Sequence, residues 1–573
     1  MILITLICLR LTRQWVCPIL NDNGYIIPGY GNKALVKSRY GNSRKLAKSK
    51  STYLAKYSED GALKWMHYID SLGTFTGSET DAQGNIYVIG YCNVGSWYHF
   101  NNGDSLRIAI TNNDTSALSF SFSSDNGFLV KLDSNGHYLW HAVFDDHSSY
   151  AQGYPVQGGL PNRIIVKNGE IFITGSFLAN LSYVRNDISQ RMYTLTNSVY
   201  ARDNPNRFLV KINPTGSLAW KSYGHYTTTN STEPADIAAG LNGDIMMVSD
   251  FENSVKFYDN DSTLIVNETG VVANNRSFLI RMNSTGHMVW KAKIEHQSGG
   301  NFQTQFSHIV TDNTGSAYIT GDIDIFSMLV PLQVTNGDGS ISISDTLSGF
   351  AILKFDINGR YRWSVGSKTA YYGWGKALVY KAGQLYAAGN VSNNGQNLSN
   401  FTFTSTNGVN YTGNFFQTEL FIVNYDTAGV LKKVAKSGDN GYGQLEPHGL
   451  VLDSANNYII TGITDYTSDT TNVVFNQSFP VRGVDVFFAK ISSDFCINCD
   501  IATWTGAVSS AWNNPQNWLC NVVPIASTPV TIPAGTNYSA IITSGQSFSV
   551  WSLDIQPAAT MTVQAGATFN VLH

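Results

Sequence analysis

Along residues 20–495, short runs alternate apolar and polar positions at period two, and an Asx or Gly turn bounds each run. Alternation at period two is the mark of a strand with one buried face, so the chain predicts β-structure. Two patterns alternate strictly. The first is an apolar run, a turn and a tryptophan, as in Phe128-Leu-Val-Lys131-Leu-Asp133-Ser-Asn-Gly136-His-Tyr-Leu-Trp140. It returns at 208–220 ending on Trp220, at 278–290 ending on Trp290, around Lys354 to Trp363, and earlier from Tyr53 to Trp65. Two later copies decay, with Lys433 standing where Trp belongs and only Phe487 and Lys490 surviving in the last. Aligned on the basic position, the copies sit at 56, 131, 211, 281, 354, 424 and 490, a period near 72.

The second pattern is an Asx/Gly turn followed by an apolar run that closes on glycine. Asp81-Ala-Gln-Gly84-Asn-Ile-Tyr87-Val-Ile-Gly90 is the fullest copy, and relatives close on Gly29, Gly175, Gly321, Gly389 and Gly462, with a degenerate copy at Gly243 to Ser249. D-x-x-G gives the turn an Asx side chain that bonds its own backbone and a glycine for positive φ. One period is therefore four antiparallel strands, a to d, with the Trp on d. A four-stranded sheet repeated seven times buries its faces when the sheets stack radially. The expected fold is all-β, a seven-bladed β-propeller over 1–500 with blades near 14–69, 72–145, 160–225, 234–295, 305–368, 375–436 and 446–497, and a small β-rich module over 501–573. The recurring Trp65, Trp140, Trp220, Trp290 and Trp363 are expected in the seams between blades, where a large ring finds apolar area and an acceptor for its N–H. The spacing from each Trp to the next closing glycine, carried back from Gly29, falls in the apolar start of the chain, so residues 2–9 are expected to give the last blade its outer strand.

Propeller repeats can be built from about 40–45 residues. The surplus lies between strands b and c, at 91–127, 176–207, 251–277, 322–350, 390–420 and 463–485, all on one face of the disc. Such loops are where binding usually lives, and these hold Trp97, Tyr98, Phe100, Tyr183, Phe401, Phe403 and Tyr411. They read either as binding loops or as strands of longer hairpins.

Charge narrows the partners. Asp, Glu, Lys and Arg make up 14% of the chain and the net charge is −4, with no run of five like charges, so nucleic acid is not an expected partner. No apolar stretch reaches the ~20 residues of a membrane span, and Met1–Leu9 lacks a preceding basic residue and a following small-residue cleavage site, which makes a poor signal peptide. Of six cysteines, Cys496, Cys499 and Cys520 are candidates for a disulfide of open connectivity. The dense group His141, Asp145, Asp146 and His147 is a weak metal candidate that a solvated loop explains equally. No nucleophile elbow, phosphate loop or metalloprotease helix is present, and no catalytic residue or cofactor is expected.

The runs at 81–90 and 312–321, with those at 128–140, 208–220 and 278–290, resemble the seven-bladed propeller repeats of bacterial secreted and surface proteins known as SBBP repeats, with kinship to NHL-type blades. The resemblance covers about four fifths of the chain and implies the fold more strongly than any activity. Thr-Gly-x-x-x-Trp at 215–220 and 285–290 also resembles the docking motif of quinoproteins, and Ser58 to Trp65 resembles the Asp-box of sialidases with its glycine one place early. Beyond Cys499, the run Trp504-Thr-Gly506, Trp512 to Trp518 and the short strand patterns after Val530 resemble the modules that precede type IX sorting domains in Bacteroidetes surface proteins. The resemblance implies a secreted or cell-surface location. The reading is a monomeric, non-catalytic scaffold that binds a glycan or protein ligand through the b–c loop face, without membrane insertion. The alternative is an enzyme acting on polysaccharide, a hydrolase or lyase, with a quinoprotein oxidoreductase further behind.

Overall fold

The period-two runs form strands, and the Asx side chains brace the turns between them. Asp312 Oδ1 accepts the backbone N–H of Thr314 at 2.8 Å and of Ser316 at 3.0 Å, while Gly315, at φ +79°, donates its own N–H to Asp312 O at 3.1 Å. Asp81, Asp133, Asp356, Asp426 and Asp453 brace their turns in the same way. The protein is seen here as a computed structural model describing residues 3–7, 17–18, 25–31, 35–37, 43–45, 51–58, 62–69, 73–93, 96–99, 105–108, 125–145, 159–177, 181–185, 188–193, 206–227, 235–269, 276–296, 303–324, 330–368, 372–392, 398–415, 419–437, 444–465, 470–474, 477–481, 485–491, 502–519, 523–524, 526 and 528–572.

Each repeat pairs a with b, b with c and c with d, all antiparallel. In the third repeat these are Leu160–Lys167, Glu170–Phe177, Asn206–Ile212 and Leu218–Thr227. The a-strands Gly73–Thr80, Leu160–Lys167, Asp236–Ala239, Gln303–Thr311, Tyr372–Lys381 and Gln444–Leu452 are neighbours in that order around a central axis, which makes the arrangement a propeller. Leu3–Ile7 is the outer strand of the last sheet, with Leu3 opposite Lys490 and Ile7 opposite Val486, so the start of the chain fills the d position beside Asp485–Ile491. Six sheets thus have four strands of at least four residues in the a to d positions. The first repeat does not among the described residues: Tyr25–Gly31, Ser51–Tyr57 and Leu63–Ile69 are full strands, and the described part of its a position is Cys17–Pro18. The described residues thus hold six complete blades where the repeat count predicts seven.

The seams between blades are built from the first pattern. Trp220 Nε1 donates to Ser284 O at 3.1 Å and Trp290 Nε1 to Ile357 O at 2.9 Å, each carbonyl belonging to the c–d turn of the next blade. The basic residue of strand c reaches the same place: Lys56 donates to Ser134 O at 2.9 Å, Arg281 to Ile357 O at 2.8 Å and Lys354 to Thr427 O at 2.8 Å. The indole lies flat on the turn glycine, so close that a Cβ on Gly359 would sit 2.6 Å from the Trp290 ring. Trp65 lies on Gly136, Trp220 on Gly286 and Trp363 on Gly429 in the same way. Trp140 departs from the rule: it is half-buried, and the Arg185 guanidinium lies 4.8 Å from its ring centre while donating to Thr215 O at 2.8 Å.

Of the two readings of the b–c insertions, their described residues take the hairpin one. Most of their described residues are hairpins that leave their own blade and add to the outer edge of the one before. Leu181–Arg185 and Ile188–Tyr193 extend the sheet of Tyr138–Asp145, Ser254–Tyr258 and Leu264–Thr269 extend that of Leu218–Thr227, and Val330–Thr335 and Ile341–Leu347 extend that of Met288–His296. Ser96–His99 does the same for Leu63–Ile69, whereas Leu398–Phe403 with Tyr411–Phe415, and Thr470–Val474 with Gln477–Val481, form separate two-stranded sheets. The aromatic residues Tyr98, Tyr183, Phe401, Phe403 and Tyr411 are buried in these packings, the hairpin alternative of the sequence reading. Phe100 and the side chain of Trp97 lie outside the described residues.

The C-terminal residues have a different order, with every described ladder parallel. Val530 pairs with Leu553, Ala540 with Met561 and Ser547 with Thr568, so like positions stack at offsets of 23, 21 and 21 residues in two turns of a three-sided solenoid. Phe548 stacks on Phe569 and Val550 on Val571. The fully buried Trp504, Trp512 and Trp518 form the core of this part, with Trp518 Nε1 donating to Trp512 O at 2.8 Å. Asn517 serves them by accepting the N–H of Val508 and Ser509 and donating to Ala511 O at 2.8 Å.

Removing residues 1–12 strips the outer strand from the last blade and should lower the thermal midpoint by at least ~3 °C; an unchanged melting curve would contradict this closure. Gly359→Ala should cost about 2–4 kcal/mol, because it combines φ +74° with the clash on Trp290. Gly339→Ala, at φ +82° with nothing within 4 Å, should cost about 1 kcal/mol, and equal urea midpoints for the two variants would dismiss the seam contact.

Candidate functional site

The closing glycine of strand b determines what reaches the central channel. A Cβ on Gly321 would stand 1.8 Å from Gln305 O, and one on Gly175 would meet Leu160 O at 2.3 Å and the Phe208 ring at 2.6 Å. Gly90 and Gly389 are pressed in the same way by Thr74 O and Trp374 O. This close approach accompanies a β-bulge in the facing a-strand, where the register slips between Phe75 and Gly77, Pro161 and Arg163, Phe306 and His308, Gly375 and Ala377, and Pro447 and Gly449. A bulge re-aims the side chains that follow it. The fourth repeat closes on Ser249 instead, and its a-strand shows no slip.

After the bulge, one position per blade falls in a single layer of the channel wall. It holds Gly77, Arg163, Asp236, His308, Ala377 and Gly449, each opposite the residue before the closing position of strand b. Three consecutive blades therefore place Arg, Asp and His side by side, facing a wall of Gly and Ala. All six line one cavity of about 490 Å³, within the range of ligand sites. Two residues further along, Ile165, Val310, Val379 and Val451 are partly exposed to the same cavity and form an aliphatic ring, with Glu79 the polar member.

The polar side of the wall is closely bonded. Arg163 Nε donates to Asp236 Oδ1 at 2.6 Å and its Nη2 to Oδ2 at 3.1 Å, while Nη2 also lies 3.1 Å from His308 Nδ1. Asp236 further accepts the backbone N–H of Ile237 at 2.9 Å and, across the seam, that of Ile309 at 3.0 Å. Burial alone would raise the Asp236 pKa, but the Arg163 charge and His308 outweigh it and hold it at about 2. A second polar group stands beside the bulges of the sixth and seventh repeats, where Lys376 lies 3.1 Å and His448 3.8 Å from Glu446. His448 and, against burial, Lys376 hold the Glu446 carboxyl at about 2.

None of these residues was singled out from the sequence, although one signal was there. Aligning the a-strands on the closing position of strand b, with a one-residue gap for the shorter a–b turn of the third repeat, places Arg163, Asp236 and His308 in one column. The residues that were singled out lie elsewhere. His141 is on an outer strand with its Nδ1 2.9 Å from Tyr138 Oη, Asp145 ends that strand, and Asp146 and His147 lie outside the described residues. Among the described residues no group of three or more His, Cys, Asp and Glu could hold a metal ion. Cys496, Cys499 and Cys520 also lie outside them, and Cys92 is buried. Among the described residues no helix is long and apolar enough to cross a membrane.

Comparison with known proteins adds little to this geometry. Residues 503–573 match a family described as a domain of unknown function, DUF8693. No curated protein matches the chain. Among solved structures, a protein of unknown function from Dyadobacter fermentans DSM 18053 is similar at 9% identity over 68% of this chain and 95% of its own, with a TM-score of 0.30. Rhamnogalacturonan lyase YesW is similar at 11% identity over 72% of each chain, with a TM-score of 0.26. At such scores neither likeness bears on what this chain does.

Because Asp236 has its pKa depressed in the folded chain, its stabilisation is complete above the unfolded value of about 4 and is lost as pH falls towards about 2. Asp236→Asn should cost about 3–5 kcal/mol at pH 7 by stranding Arg163. It should also flatten the fall of the urea midpoint between pH 4 and 2, and a slope equal to that of the parent chain would contradict the assignment.

Proposed function

We propose that this chain is a non-catalytic, secreted or cell-surface propeller of the SBBP/NHL-like kind, a monomer that binds a glycan or protein ligand at its central channel. In this reading the sheet of the first repeat acts as the seventh blade, since Cys17–Pro18 touches both Gly73–Thr80 and Gln444–Leu452. The parallel C-terminal module then serves as a spacer of the type found before type IX sorting domains. The observation that carries the reading is the layer in which Arg163, Asp236 and His308 from three blades meet at one cavity opposite Gly77, Ala377 and Gly449. The channel is preferred to the b–c loop face as the seat of binding because the described residues of those insertions are largely committed to the edges of neighbouring blades.

The enzyme alternative needs a different electrostatic arrangement. A glycan hydrolase works with two carboxyl groups ~5–10 Å apart, one of which holds its proton near neutral pH. Asp236 and Glu446 are both held ionised by cations at close range, which suits groups that fix charge and position better than groups that transfer protons.

The test is to screen the full chain against glycan arrays and extracellular proteins, with mass analysis of whatever is retained. A retained ligand recovered intact, with retention falling at least tenfold in Val451→Trp, is the expected result. Cleaved or eliminated product would favour the enzyme, and retention indifferent to Val451→Trp would remove the channel from the reading.

A further inference from the structure

The binding reading leaves glycan and protein open, and the wall of the channel distinguishes them. The charges of its polar layer are closed on themselves, with Arg163 bidentate on Asp236, and the other charged residues among the described lining, Glu79 and Lys167, lie beyond that layer. Below this layer lies the aliphatic ring of Ile165, Val310, Val379 and Val451, and among the described lining residues Tyr380 carries the one phenyl-type ring. Sugars dock their C–H faces on flat aromatic rings, whereas branched aliphatic surface matches Leu, Ile and Val side chains. The wall is also made of strand edges, because each a-strand is the innermost of its sheet. Sheet edges present N–H and C=O groups at peptide spacing, and peptides use this in β-augmentation. Neighbouring blades already exploit these edges, as Asp236 accepts from Ile309 N, Thr311 Oγ1 donates to Ala239 O and Thr76 Oγ1 donates to Pro161 O.

We propose that the channel takes an extended, uncharged peptide segment with aliphatic side chains. Its amides sit at the Arg163–Asp236–His308 layer, with the main chain against the small residues Gly77, Ala377 and Gly449, and its side chains fill the ring below. This rests on the binding reading above and narrows its ligand to one class. A peptide amide suits the polar layer because it is neutral and both donates and accepts.

The experiment titrates the full chain with three probes: blocked hexapeptides of Val, Ile and Leu, blocked hexapeptides rich in Lys or Glu, and neutral cello-oligosaccharides. Three variants accompany it: Val379→Trp to fill the ring, Val310→Ser to reduce its apolar surface should the first variant fail to fold, and Ile341→Ser on an exposed hairpin position as control. The expected result is binding of the aliphatic peptides, weakened at least tenfold by Val379→Trp or Val310→Ser and unchanged by Ile341→Ser. Channel-dependent binding of the oligosaccharides alone overturns the peptide and leaves the binding reading standing. Equal binding of charged and aliphatic peptides overturns the match to a neutral ligand, and no channel-dependent binding of any probe overturns both.

Discussion

The structure depends on how an indole and a cation meet one carbonyl of the next blade. Trp290 and Arg281 both donate to Ile357 O, and Trp220 donates to Ser284 O from the blade before. Burying a ring of this size is worth about 3–5 kcal/mol when measured by truncation, but direction matters more here than magnitude. In these two seams the acceptor lies one residue after the turn Asx, whereas Trp65 Nε1 and Trp363 Nε1 are buried without an acceptor among the described residues; in all four the turn glycine beneath the ring has no Cβ to keep it away. One contact therefore fixes both the spacing and the rotation between successive blades. A single four-stranded sheet has two faces to cover, and this seam covers one of them with the next copy of itself.

A second level of locking comes from the insertions. A hairpin such as Leu181–Arg185 with Ile188–Tyr193 is covalently part of the third repeat but hydrogen-bonded to strand d of the second. Each such hairpin ties two blades through backbone bonds, where the tryptophan ties them through side chains. Arg185 shows the two systems merging, because it comes from a hairpin yet lies over Trp140 and bonds the Thr215 carbonyl. The length of the period thus has a mechanical use. The described residues of these segments hold the ring together.

Much of this was legible in the sequence because it repeats. The strand order, the seam tryptophans and the closing glycines recur often enough for one chain to serve as its own alignment, and the apolar start of the chain was readable from spacing alone. The blade count was harder, since the described part of the first a-strand is Cys17–Pro18 and pattern matching on strands b and c does not test that position. The hairpins were illegible for another reason: a strand's own alternation says which face is buried but not which sheet it joins. Burial of Phe401 and Phe403 fits either outcome until the partner edge is known.

The channel residues were hidden because they break the repeat. Arg163, Asp236 and His308 occupy one structural column, but each occurs once, and in each strand the next two positions are Ile, Val or Ala. Repetition finds what every blade needs, and a ligand site on a ring needs what the blades do not share. The closing glycines connect the two. They recur in every described blade but the fourth, which closes on Ser249 without a bulge, and elsewhere they accompany the bulge after which strand a reaches the channel layer. The repeated part of the sequence thus builds equivalent openings around the axis, and the unrepeated part decides what chemistry each one shows. The wall offers paired charges, small residues and an aliphatic ring in fixed order around that axis.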